Sequence, residues 1–170
     1  AFNFAVLTLY VSLAAYQFAT RDVLPQIRLV ASGQPPELRL RKGCKWHLFL
    51  SHIWSSGQDQ MATVKRCLTL LLPEARVFLD VDDLEDIGNL GQYVRASNSV
   101  LVFLSKGYFF SANCRKELDA ARAHSSPLIL LHETDLNRGG SPLEQLHDDC
   151  PAEHRAAVFS PERPIIPWLR

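Results

Sequence analysis

Between Ser99 and Leu104 the chain reads SVLVFL. A short unbroken apolar run rich in Val, Leu and Phe fits a strand buried on both faces, and such strands belong to parallel sheets. Ser105, Lys106 and Gly107 break the run, and Ser111 or Asn113 then offers a helix N-cap. The pattern therefore predicts a strand feeding directly into a helix, with Glu117 in the first turn of that helix. This lies just beyond the carboxyl end of the strand, where open α/β sheets bind ligands. An acid at that point either serves chemistry or complements the positive end of the helix macrodipole.

The same alternation recurs along the chain. Trp46–Leu50 reads as a first strand, and Met61, Val64, Leu68 and Leu71 give helical spacing over Gln58–Leu72, closed by Pro73. Arg76–Val81 is predicted as the second strand, Asp82–Leu90 as an acidic loop and Gln92–Ala96 as a short helix. After the strand and helix already described, Pro127–Leu131 reads as a fourth strand. Thr134–Ser141 then reads as a polar loop and Pro142–His147 as a weak helix. Ala156–Phe159 is expected to be the fifth strand, before the tail PERPIIPWLR. Strands alternating with helices imply right-handed crossovers and a sheet covered on both faces. The fold class expected is α/β: a flavodoxin-like three-layer sandwich, five parallel strands in the order 2-1-3-4-5, with the strand holding Leu48 at its centre.

The first part of the chain is different. Ala1–Ala19 carries no charge, and a helix of that length spans about 28 Å, close to the roughly 30 Å of a bilayer core. Its polar positions Asn3, Thr8, Ser12 and Gln17 do not share a face, which argues against a helix lying on a membrane surface. Residues 1–20 are expected to form an apolar helix, either membrane-spanning or a buried or dimer-forming helix of a soluble protein. No basic residue precedes the run, which disfavours a signal peptide. Residues 21–44 are Pro-rich and basic, with Arg21, Arg28, Arg39, Arg41 and Lys42 among them. Paired prolines exclude a helix there, so these residues read as a linker. Basic residues beside an apolar span mark its cytoplasmic side, so residues 45–170 are expected in the cytoplasm, free or membrane-anchored. A start at Ala1 without Met is what a fragment or trimmed chain would show.

Lys plus Arg and Asp plus Glu both number 18, so no strong field points to nucleic acid. Cys44, Cys67, Cys114 and Cys150 are scattered without a CxxC, which indicates neither a disulfide framework nor a metal site. His147, Cys150 and His154 make at most a weak metal triad, and surface or structural roles suit them better. GxSxG, HExxH, GxxxxGK and GxGxxG are all absent, which removes the usual hydrolase, zincin and nucleotide-loop readings. Asp80, Asp82 and Asp83 resemble a receiver-domain acidic cluster, but they follow strand 2 rather than strand 1, so that reading fails on order.

In the order 2-1-3-4-5 the switch point lies between strands 1 and 3. The loops leaving them, Ser51–Gly57 and Ser105–Asn113, are rich in aromatics and small polar residues. A crevice floored by Ser51, walled by Trp54 and closed by Glu117 would suit a planar base and a ribose.

Four segments, WHLFLSHIWSSGQD, VFLDVDDLEDIGNL, SVLVFLSKGYFFSANCRKEL and the closing PW, together resemble a Toll/interleukin-1 receptor (TIR) domain over about Lys45 to Arg170. The flavour is closer to the plant and bacterial members that cleave NAD than to animal receptor adaptors. The resemblance implies a loop after strand 2 that mediates self-association, here carrying Asp82, Asp83 and Gly88. In enzymatic members a Glu within Cys-x-x-Glu-Leu is needed to cleave the nicotinamide–ribose bond, and Cys114, Glu117 and Leu118 match that pattern. Ser51, Gly57 and Asp59 match the pattern after strand 1. The resemblance thus gives Glu117 as the catalytic residue; taken with the two loops at the switch point, it makes Ser51, Trp54, Gly57, Ser105 and Tyr108 the expected substrate-binding set. NAD is then a substrate, no cofactor or metal is needed, and other TIR domains are the expected partners. One departure stands out: plant members usually carry an Arg shortly after the strand 1 Ser, where this chain has His52, Ile53 and Trp54. The competing reading is a non-catalytic interaction module.

Overall fold

The computed structural model describes Ser12, residues 26–83 and residues 89–169. Its first strand, β1 (Trp46–Ser51), leads into the long helix α1 (Trp54–Leu71), then β2 (Val77–Phe78) and a single helical turn α2 (Asp80–Asp83). Next come α3 (Leu90–Arg95), β3 (Ser97–Leu104) and α4 (Ala112–Ala123), and then β4 (Leu128–Glu133), α5 (Leu143–Asp149), α6 (Ala152–Val158) and β5 (Ile165–Trp168). The five strands form one parallel sheet in the order β2-β1-β3-β4-β5. The strand order is as the sequence predicts, but β3 is the middle strand and β1, which holds Leu48, lies beside it.

The unbroken apolar run of β3 is explained by its two faces. Val100, Val102 and Leu104 pack with Val94, Leu118, Ala121, Leu146 and Val158 of α3–α6, while Leu101 and Phe103 pack with Met61, Val64 and Leu68 of α1. Burying each such side chain contributes about 1.5–3 kcal/mol. Register is fixed along the strand, Phe49 opposite Val100 and Val100 opposite Leu128, which places the carboxyl ends of β1, β3 and β4 side by side.

Besides the expected strand Arg76–Val81 shortening to Val77–Phe78, with Asp80–Asp83 a helical turn, two elements differ from the sequence expectation. Residues 156–159 are not a strand: Ala152–Val158 is a helix, entered from Pro151 and built on good helix formers. The fifth strand is instead Ile165–Trp168, inside the stretch read as a tail. Pro167 lacks an amide hydrogen, and a sheet edge is where a strand can hold it. The second difference is the start of α1 at Trp54 rather than Gln58. Gly57 reads as a helix breaker, yet a Cβ there would lie 3.0 Å from the Cβ of His52 and 3.1 Å from Phe103. The glycine allows the first turn of α1 to rest on the end of the sheet. The predicted loop Ser51–Gly57 therefore shrinks to His52 and Ile53.

Residues 26–44 contain no helix or strand, and Asn98 ties them to β3 by bonding the Arg39 carbonyl and the Arg41 amide. The apolar helix expected over residues 1–20 lies, apart from Ser12, outside the described residues. Among the described residues no helix is long and apolar enough to cross a membrane.

Candidate functional site

Three segments meet at the carboxyl end of β1 and β3. β1 delivers Ser51, a turn at Tyr108–Phe110 follows β3, and α4 descends behind both. Gly107 has φ +84°, a left-handed conformation that lets the chain fold back immediately after Lys106. Ser111 then caps α4, its hydroxyl accepting from the Cys114 amide at 3.3 Å. With this cap Glu117 falls in the second turn, and no acid occupies the first. A macrodipole role for Glu117 thereby loses its basis, because that effect is confined to the end of a helix.

Glu117 is 5% exposed, and Ser51 and Tyr108 are fully enclosed. The Ser51 hydroxyl donates to Glu117 Oε2 at 2.5 Å, and the Tyr108 hydroxyl lies 2.5 Å from Ser51 Oγ. Since Ser51 has one proton to give, Tyr108 donates to Ser51 while Ser51 donates to Glu117 Oε2, either ionised or protonated on Oε1; a proton on Oε2 itself would reverse the chain. Burial pushes the Glu117 carboxyl up to about 8. The Ser51 hydrogen bond opposes that rise and the negative charge of Asp80 adds to it. Near pH 7 the group is therefore mostly neutral. Among the described residues no cation pairs with Glu117, and the Arg122 guanidinium is turned to the Glu153 carbonyl at 3.0 Å.

Around this trio lie groups that sequence reasoning did not select. His52 is buried, with Nε2 3.1 Å from Gln58 Oε1 and 3.8 Å from the buried carboxylate of Asp80. The Cys114 thiol donates to the His52 carbonyl at 3.3 Å. Burial, then the nearby Glu117, pushes that thiol up to about 12, so it is no nucleophile. His52 follows the selected Ser51 directly, and Asp80 closes the second apolar run; position after a strand was the available signal for both.

An open cleft of about 530 Å³ lies at the same end of the sheet, on the α1 side, with Trp54, Ser56, Asp59, Arg138, Gly139 and Trp168 in its walls. Trp54 is 48% exposed. Beneath the cleft, Gly139 packs on Ser56, where a Cβ would fall 3.0 Å from the Ser56 Cβ, and Lys106 bonds the Gly139 carbonyl at 2.8 Å. Ser56 Oγ is 3.5 Å from Ser105 Oγ. None of Ser51, Ser105, Tyr108 and Glu117 lines this cleft.

The expected site residues thus divide. Ser51, Tyr108 and Glu117 come together in one hydrogen-bonded cluster with Ser105 close by, while Trp54 stands in the cleft and Gly57 serves packing. The crevice expected to be floored by Ser51 and closed by Glu117 is not open in this conformation: both residues are buried and neither lines the cleft. Arg138 and Trp168 were missed because one sits in a polar loop and the other in a supposed tail. Asp82 and Asp83 both pair with Lys65 of α1, at 3.0 and 2.6 Å, and Asp83 also accepts from the Leu79 amide. Gly88 lies outside the described residues. Among the described residues neither His147 nor His154 joins a group of three candidate metal ligands; His147 packs edge-on to Phe159 and His154 pairs with Asp119 at 3.2 Å.

No family model matches the chain, and no curated protein matches it. Solved structures do. The TIR domain of the Toll-related receptor TRR-2 from Hydra magnipapillata matches over 73% of this chain and 85% of its own, with TM-score 0.50 and 16% identity. A metazoan TIR-STING receptor from C. gigas, solved with 2',3'-cGAMP, matches 76% of this chain with TM-score 0.53 and 12% identity. The fold is a TIR fold. The match spans 37% of the TIR-STING receptor, so the likeness does not extend to the whole of that receptor. Within the TIR fold, the Glu117 cluster sits at the topological switch point between β1 and β3, where α/β sheets gather ligands.

Proposed function

We propose that this chain is a TIR signalling module that self-associates and cleaves NAD at the nicotinamide–ribose bond, acting in the cytoplasm or at the cytoplasmic side of a membrane. The described conformation is then the closed form of the site. The observation that carries the reading is the buried cluster of Glu117, Ser51 and Tyr108 at the switch point. A carboxylate hidden there, with a raised pKa and no cationic partner, has the character of a functional acid rather than of a structural ion pair. Its Cys-x-x-Glu-Leu context agrees with the NAD-cleaving members. The exposed Trp54 face and the wide adjacent cleft offer a place for a planar ring and a dinucleotide.

In the reaction the C1'–N bond breaks and its electron pair leaves with nicotinamide, which becomes neutral. Water adds to the oxocarbenium-like ribose and releases a proton, as in glycoside hydrolysis. An ionised Glu117 facing that centre stabilises the developing positive charge. Two changes are required from the conformation described: the buried cluster must open to the substrate, and Glu117 must lose its proton. Contact between neighbouring domains through the loop after β2 supplies the trigger in this reading.

The closed, neutral state of Glu117 also favours a second reading, a non-catalytic interaction module in which the cluster only holds α4 to β1. Incubating clustered protein with NAD and measuring free nicotinamide separates the two. Release by wild type and its loss in Glu117→Gln supports cleavage; no release from clustered wild type supports the interaction module.

A further inference from the structure

At the opposite end of the sheet from Glu117, a second pocket opens between the last turn of α4, the start of β4 and helix α6. Its volume is about 260 Å³. Leu118, Ala121 and Val158 form an apolar floor and are almost fully buried. Its polar wall holds Arg122, Arg163, Ser125 and Ser126. No carboxylate lines it among the described residues, but His154, which also lines it, pairs with Asp119 at 3.2 Å; Glu153 and Glu162 are exposed.

Two features make this wall a donor surface. The Arg163 guanidinium has one nitrogen, Nη1, closed off from solvent and without an acceptor, a cost that is relieved if the side chain shifts to meet an acceptor in the pocket. Arg122 is engaged through Nη1 only by the Glu153 carbonyl, which leaves its charge unneutralised. The carbonyls at the end of α4, which would repel an anion, are occupied: the Ser126 amide bonds Ala121 O at 2.8 Å and the Ser125 amide bonds Arg122 O at 3.0 Å. Ser125 adopts φ +49° to do so, a position where glycine is usual.

We propose that this pocket binds a small phosphate monoester, with the phosphate on Arg122 and Arg163 and a compact apolar body on Leu118, Ala121 and Val158. Phosphate is favoured over carboxylate because two guanidiniums and two serine hydroxyls offer more donors than two carboxylate oxygens use. The volume equals that of about nine liquid waters at roughly 30 Å³ each, enough for one ring and a phosphate and too small for a dinucleotide. The site is therefore separate from any NAD-cleaving centre.

The test uses the whole 170-residue chain and phenyl phosphate as probe, read by calorimetry and by amide NMR shifts, with phenol, benzoate and inorganic phosphate as comparisons. Phenyl phosphate should bind saturably, shift amides within 118–128 and 154–163, and weaken about tenfold or more in Arg163→Gln and in Arg122→Gln. Arg163→Lys should recover part of the loss, and a thermal melt of each variant should show the fold retained. Phenol binding as well as phenyl phosphate would overturn an anion site. Equal binding of benzoate would overturn the phosphate assignment. Shifts scattered over surface arginines, or affinity unchanged in both Gln variants, would overturn the pocket itself.

Discussion

Replacing Glu117 by Gln removes a titrating proton from the interior while keeping shape, packing and a partner for Ser51. In the folded chain the carboxyl titrates near pH 8, against an ordinary value of 4.5. Between those two values the folded chain holds a proton that the unfolded chain has released, so stability falls as pH rises. At about 1.4 kcal/mol per pKa unit, the whole rise amounts to about 5 kcal/mol, complete once pH passes the folded value. Local opening of the turn at Tyr108–Asn113 would admit water and cap that loss. The Gln variant lacks the titration; the Glu117 charge also raises Cys114 and Tyr108, but both titrate above pH 9, so up to that pH the difference reports residue 117. Urea and thermal melts at pH 5, 7 and 9 should show the two proteins within about 1 kcal/mol at pH 5. Gln should gain steadily thereafter, by roughly 2–4 °C per kcal/mol for a chain of this size. Parallel stability–pH curves would refute the claim that Glu117 is held neutral by burial.

Other expectations follow from particular contacts. Gly57→Ala should destabilise by about 1–3 kcal/mol in a denaturant melt, because its Cβ meets His52 and Phe103 at 3.0–3.1 Å in a packed core. Iodoacetamide should modify the exposed Cys67 in the native protein and leave Cys114 and Cys150 unmodified until denaturation, since burial holds those thiols near pKa 12 and 11. A bulky residue at Gly88 should block clustering, read by light scattering, while leaving the monomer's melt unchanged; normal clustering would remove the loop after β2 from the association mechanism.

Much of this architecture can be read from residue order. The apolar run Val100–Leu104 demanded a strand covered on both faces, and that requirement alone leads to a parallel sheet and to the switch point beside Ser51. The likeness to TIR domains, visible in four segments, agrees with the solved structures the chain resembles in fold. The strand at Ile165–Trp168 was hidden because two prolines, Pro164 and Pro167, disguise an edge strand as a tail. The helix Ala152–Val158 was hidden because its short apolar end mimics a strand. At the site, types and neighbourhood were legible and depth was not. Glu117, Ser51 and Tyr108 could be chosen together from their places after strands. Whether a carboxylate faces a cleft or the interior depends on a contact such as Ser51 on Glu117, between residues 66 positions apart, and no local pattern encodes it.

The central claim is that Glu117 becomes an ionised catalytic group when the domains assemble, and free nicotinamide measures this most directly. Clustered wild-type protein incubated with NAD should release it, with a rate rising as pH approaches 8, the value to which burial pushes this carboxyl. Clustered Glu117→Gln should lose about a hundredfold or more in rate, the usual cost of removing one electrostatic contact with the transition state. Full release by the Gln variant, or none from clustered wild type at any pH, would contradict the account.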